Sequence, residues 1–177
     1  TQFASSAASD VYKRQDPDRD GDLDLFVVSG GVECEPGDPI LQDRLYINDG
    51  NGNFGRVAEG LIPKLNESGS VVSVADINQD GRDDLFIGGR TVPGNYPSSP
   101  RSFILINSGA RFINETRKVA PSLANAGMVT SAIFSDVNND DWPDLLVTYE
   151  WGPVRFYLND KGRLFDKERL LNKERLL

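Results

Sequence analysis

The chain has 177 residues, of which 38% are apolar and 26% charged, enough to form a core and unlike a disordered tail. Its 27 acidic residues outnumber 19 basic ones for a net charge of −8, so no basic surface is offered to a nucleic-acid backbone. Histidine is absent, Cys34 is the single cysteine, and no apolar run nears the roughly 20 residues that cross a bilayer; these facts exclude Ser-His-Asp and Cys-His catalysis, a His-bearing zinc site and an internal disulfide.

Thr1 to Gln15 is small and polar, with no strand or helix period. Its end, Asp10-Val11-Tyr12-Lys13-Arg14-Gln15, reads like a translated sequencing adapter. Residues 1–15 are therefore expected to be a non-native or disordered leader, leaving a fragment whose first motif lacks its entering strand. That motif runs from Asp16 to Val27 and is followed by a Pro- and Gly-rich loop, Val32 to Asp43. Leu45 to Asn48 then leads through Asp49-Gly50-Asn51-Gly52 to Phe54, a hairpin pattern. Val71 to Ala75 is an apolar run entering a second motif, Asp76 to Ile87, whose buried strand is expected to end at Gly88-Gly89. After the loop Arg90 to Arg101, Phe103 to Asn107 and Arg111 to Asn114 form a hairpin around Ser108-Gly109. Met128 to Ser135 enters a third motif, Asp136 to Val147, and Phe156 to Asn159 leads to Phe165. The tail 167–177 repeats Lys-Glu-Arg-Leu-Leu at six residues, matching neither helix nor strand period; it reads as a short helix or an artefact.

The three motifs start 60 residues apart, and each is followed by a strand ending in Asn48, Asn107 or Asn159. A constant order of parts with variable loops marks a repeated supersecondary unit. Four short strands per unit, with no helical period between them, predict an all-β chain: a β-propeller fragment of about three four-stranded blades at 16–58, 71–115 and 128–166. A β-sandwich could use the same strands but has no reason to repeat its turn chemistry. Three blades cannot close a ring that needs four to eight, so an isolated chain should expose sheet edges.

The motifs carry the chemistry. Side-chain oxygens at positions 1, 3 and 5 of a tight loop, a turn-forming residue at position 6, a carbonyl at 7 and a carboxylate at 9 make a calcium-sized cage. The first set is Asp16, Asp18, Asp20, the Asp22 carbonyl and Asp24; the second is Asp76, Asn78, Asp80, the Arg82 carbonyl and Asp84. The third is Asp136, Asn138, Asp140, the Trp142 carbonyl and Asp144, with Asp141 where glycine is preferred. An EF-hand would place Glu at position 12 and a helix beyond it, but Val27, Ile87 and Val147 stand there in apolar strands. The nine-residue loops hold 13 of the 27 acidic residues, and three Ca²⁺ would bring the net charge from −8 to −2. Magnesium, which resists dehydration, fits less well. Asx turns alone would also favour Asp and Asn, though not three times in register. The second loop departs least from the pattern and is expected to be the best formed.

These loops, together with Gln42-Asp43-Arg44-Leu45-Tyr46-Ile47-Asn48-Asp49-Gly50 and the segment from Gly88 to Pro97, resemble the FG-GAP/VCBS family of calcium-binding propeller repeats, integrin α-subunit heads included. The wider pattern is similar to bacterial VCBS-repeat proteins related to cartilage acidic protein, of the ASPIC/UnbV type, although no ASPIC/UnbV segment is present. The resemblance covers roughly Asp16 to Phe165. It implies an exported or surface-exposed module, secreted or periplasmic in a bacterium, with further blades of the same protein and a protein or carbohydrate ligand.

Other patterns carry less. Gly50-x-Gly52-x-x-Gly55 spells a dinucleotide fingerprint but lies in a hairpin with no helix after it. Asn66-Glu-Ser68 and Asn114-Glu-Thr116 are glycosylation sequons only in a eukaryotic secretory host. Trp142, Trp151 and Tyr157 read as blade packing, and Cys34 as a reduced loop residue. The long loops 32–43 and 90–101 fall on the face opposite the Asp loops, where a rigid scaffold commonly carries recognition. The expected function is a non-catalytic, calcium-binding recognition or adhesion module; the alternative is the propeller of a secreted polysaccharide-degrading enzyme whose catalytic residues lie elsewhere. Such loops should bind calcium at about 10⁻⁴ to 10⁻³ M, which points to an extracellular setting.

Overall fold

The computed structural model of the chain describes residues 11–17 and 20–166. Twelve strands among them form three antiparallel four-stranded sheets, each an up-and-down meander. The first blade comprises β1 (Val11–Gln15), β2 (Asp24–Val28), β3 (Arg44–Asn48) and β4 (Phe54–Arg56). The second comprises β5 (Ser68–Ala75), β6 (Asp84–Thr91), β7 (Phe103–Asn107) and β8 (Phe112–Asn114). The third comprises β9 (Val129–Ser135), β10 (Asp144–Tyr149), β11 (Arg155–Asn159) and β12 (Leu164–Asp166). The first strands of successive blades lie side by side, as in a propeller, where they line the axis.

The expectation that the first motif lacks its entering strand is overturned. Val11–Gln15 is the entering strand of the first blade, paired from Val11 with Val28 to Gln15 with Asp24. A strand added to a sheet is held by backbone hydrogen bonds, which any non-proline sequence supplies, so polar composition does not prevent it. The remainder of the expected leader, residues 1–10, and the repeated tail, 167–177, lie outside the described residues.

The blades join through two apolar clusters, and strand alternation explains both. In β6, Leu85 and Ile87 face the first blade, where they cluster with Phe26 and Val28 of β2 and with Phe112 of their own blade. Phe86, between them, faces the third blade and meets Leu145, Val147 and Tyr157. A strand buried on both faces reads as the continuous apolar run seen here. Tyr149 and Tyr157 sink their rings into the second cluster and satisfy their hydroxyls on each other at 2.9 Å. A single α-helical turn, α1 (Thr116–Val119), caps the second blade and adds Val119 to the same cluster. It is too short to show a helical period in the sequence.

Gly88 and Gly89 do not end the buried strand as expected; they lie within β6. Their role at a crowded blade junction holds nonetheless. A Cβ on Gly88 would stand 2.6 Å from Val71 Cγ1 and 2.7 Å from Val129 Cγ1 of the next blade. Valines are stiff at χ1 and cannot swing aside, so the strand continues without a side chain there.

Candidate functional site

The three Asp loops connect the first and second strands of each blade, so antiparallel geometry sets them together at one end of the stack. In the second loop Asp76 Oδ1 and Asn78 Oδ1 both accept the Asp80 N–H, each at 3.0 Å. Asp76 Oδ2 accepts the Gly81 N–H at 2.7 Å, and Asp80 Oδ1 accepts the Arg82 N–H at 2.9 Å. The third loop repeats every bond. Asp136 and Asn138 share the Asp140 N–H at 3.2 and 3.1 Å, Asp136 accepts from Asp141 at 2.9 Å, and Asp140 accepts from Trp142 at 3.0 Å. In the first loop, Asp16 accepts from Gly21 at 3.1 Å and Asp20 from Asp22 at 2.9 Å. Asp18 lies outside the described residues.

Position 6 is left-handed in all three loops, at φ 92° for Gly21, 81° for Gly81 and 66° for Asp141. Asp141 thus adopts the conformation for which glycine is preferred, at the cost a Cβ brings there. Two oxygens trained on one N–H place the heads of positions 1 and 3 side by side. The Asn78 amide in turn donates to Asp80 Oδ2 at 3.2 Å, as Asn138 does to Asp140 at 2.8 Å. Positions 1, 3 and 5 are therefore gathered. Among the described residues, however, no three acidic groups form a cage by themselves. Position 3 of the second and third loops is an amide, and the position-9 carboxylate is set back beneath the loop.

That carboxylate has a structural task. Asp24, Asp84 and Asp144 are buried. Each accepts through Oδ1 the N–H of the asparagine ending the third strand: Asn48 at 2.8 Å, Asn107 at 2.8 Å and Asn159 at 2.7 Å. Asp84 and Asp144 also accept the position-2 N–H of Ile77 and Val137, both at 3.1 Å. Pro17 holds that position in the first loop and has no N–H to give.

The asparagines reach further than sequence alone indicated. Asn107 Nδ2 donates to the Pro17 carbonyl of the first blade at 3.1 Å, and Asn159 Nδ2 donates to the Ile77 carbonyl of the second at 2.9 Å. The third strands of the second and third blades are thereby stapled to the preceding blade's Asp loop. The recurrence of Asn at this point was the available signal. Arg82 enters the expected ligand set only through its carbonyl, yet its guanidinium donates to Asp80 Oδ2 at 2.6 Å and to the Asn107 carbonyl at 2.9 Å. It sets a fixed cation against one carboxylate of the second loop, where the first and third loops have Asp22 and Trp142.

Electrostatics separate the carboxyls. Burial pushes Asp84 up to about 7, against the Asn107 and Ile77 N–H bonds and with a further push from Asp80 and Asp76. At Asp136 burial also pulls upward, but four backbone N–H groups together outweigh it and hold the carboxyl below its usual range. A folded-state value above the unfolded one favours the protonated form on folding. The Asp84 contribution is therefore complete below about pH 4 and is lost as pH rises through about 7. Without calcium, the chain should melt several degrees higher at pH 5.5 than at pH 8. The Asp84→Asn variant should show a flat profile over that window, and a wild-type profile that is also flat would refute the assignment.

At the opposite end lie the connections between second and third strands, as expected. Tyr157 is fully buried, in keeping with blade packing, and Trp142 is half-buried. Trp151 departs from that expectation: it is 66% exposed on the β10–β11 turn. Cys34 is half-buried in the β2–β3 connection, where burial and then Asp38 and Glu35 push its thiol up and away from the reactive thiolate. Gly50 and Gly52 form the turn of the β3–β4 hairpin with positive φ, and no helix follows. No helix among the described residues is long and apolar enough to cross a membrane.

Residues 16–87, spanning the first two Asp loops, match the family described as FG-GAP-like repeat. No curated protein matches the chain. The third loop lies beyond the matched segment and joins the other two through its hydrogen bonds.

Proposed function

We propose that this chain, whose residues 16–87 match the FG-GAP-like repeat family, is a calcium-binding, non-catalytic propeller module that recognises a protein or carbohydrate outside the cell. The carrying observation is the paired oxygens of positions 1 and 3 on a single N–H, repeated in the second and third loops. An oxygen that accepts one N–H keeps a second lone pair for a cation. The donors are all oxygens, carboxylate, amide and carbonyl, which is the ligand chemistry of a hard divalent ion. Asp76, Asn78, Asp80, the Arg82 carbonyl and Asp84 would hold the ion in the second loop, with the corresponding residues in the other two. The ion would supply the positive charge that clustered carboxylates lack and so stiffen the loop face. Further blades of the same protein would complete the ring, and extracellular or cell-surface calcium would keep weak sites filled.

Calorimetric titration tests this reading. Calcium should bind at about 10⁻⁴ to 10⁻³ M. Asp80→Ala should reduce binding more than Asp140→Ala, because the second loop has glycine at position 6 and the third places Asp141 there. The Arg82 guanidinium opposes that order by competing for Asp80. A larger loss in the Asp140 variant would reverse the ranking, and absence of binding to the wild-type chain would remove the metal from the account.

A further inference from the structure

On the face opposite the Asp loops, two aromatic side chains from neighbouring blades stand largely in solvent. Tyr96, in the β6–β7 connection, is 58% exposed and Trp151, in the β10–β11 turn, is 66% exposed. Their ring centroids are 5.3 Å apart with planes at 71°, so the two rings form a corner. Arg90 and Glu150 form an ion pair beside it, and the Tyr96 hydroxyl reaches Glu150 Oε1 at 3.4 Å. The corner is held from below. Glu150 N–H donates to the Met128 carbonyl at 2.9 Å, and the Tyr96 loop is closed by bonds from Asn95 to Val92 and from Ser98 to Asn95.

We infer that the Tyr96–Trp151 corner is a binding platform for neutral pyranose chains, with Arg90 and Glu150 as the polar groups that orient the sugar. A pyranose has an apolar C–H face, which stacks on an aromatic ring, and hydroxyls radiating around its edge, which need donors and acceptors in nearly the same plane. Arg90 supplies the donors and Glu150 the acceptors. Because the two charges cancel, the corner offers no net attraction to an anionic ligand. An edge-to-face pair uses only part of its ring surface on itself and leaves a floor and a wall for a ligand. Two rings are a small contact for a folded protein, which ordinarily needs about 800 Å² on each partner. Two large aromatic groups left in water side by side, from two separate loops, make a surface on which a ligand can stack.

This inference gives a ligand class to the recognition face of the proposed function, and its test separates the two. The chain has two tryptophans, so the difference between the wild-type chain and Trp151→Phe isolates the Trp151 indole as the reporter. In calcium, titration with cellohexaose, chitohexaose or mannohexaose should give a saturable blue shift of its emission with at least one of them. Tyr96→Ala should weaken that binding about tenfold or more while leaving the melting temperature nearly unchanged. No saturable shift with any of the three, equal affinity in the Tyr96 variant, or tighter binding of an anionic galacturonate hexasaccharide would overturn the inference. Melting of the same samples with calcium and with chelator reports separately on the metal. Calcium stabilisation without sugar binding rejects the platform alone, and sugar binding with chelator-insensitive melting rejects the metal alone.

Discussion

Calcium should raise the melting temperature of the chain by about 8 to 32 °C over the chelated protein. The estimate follows from mass action on the folded state. At about 10 mM calcium, a site with a dissociation constant of about 10⁻⁴ to 10⁻³ M stabilises by about 1.4 to 2.7 kcal/mol. Three such loops contribute roughly 4 to 8 kcal/mol, and a domain of this length shifts by about 2 to 4 °C per kcal/mol. The physical source is the repulsion among clustered acids, which the loop N–H groups relieve only in part; Arg82 helps at Asp80 alone. Calorimetric scans with calcium, with magnesium and with chelator would measure the effect. A midpoint unmoved by chelator would sink the metal reading, and an equal response to magnesium would remove its selectivity.

Phe86→Ala should destabilise the chain by about 3 to 5 kcal/mol, whereas Leu146→Ala should cost about 1 kcal/mol or less. The two residues occupy the same place in consecutive units, each ten residues past the start of its Asp motif. Phe86 pairs with Ser73 and Ile104, and Leu146 with Ile133 and Phe156. The difference is what lies beyond. Phe86 is fully buried because the third blade covers it, while Leu146 is half-buried beside Ile133, which is 57% exposed. Equal losses on denaturant unfolding would show that the blades are stable one by one and that the apolar face between them contributes little.

Much of this architecture was legible from residues alone. Repeated turns, alternating apolar positions and constant motif spacing defined three blades, and β7 lies where the sequence placed it, at Phe103–Asn107. Asp141 at position 6 of the third loop reads in the sequence as a strained substitute for glycine, and it is left-handed in the fold. Three features escaped, each for a physical reason. Val11–Gln15 became a strand through backbone pairing, which side-chain composition does not encode. Arg82 turned its guanidinium into its own loop, a choice set by the proximity of Asp80 and the Asn107 carbonyl. Trp151 stands in solvent in the turn between β10 and β11, and hydrophobicity alone cannot distinguish a packed indole from a presented one.

The asparagine staples give the stack a direction. Each runs from a later unit back to an earlier one, Asn107 to Pro17 and Asn159 to Ile77, so each later hairpin rests on a carbonyl of the loop before it. Damage should travel the same way: a fault in one loop loosens its successor more than its predecessor, as a dropped stitch unravels knitting along a single course.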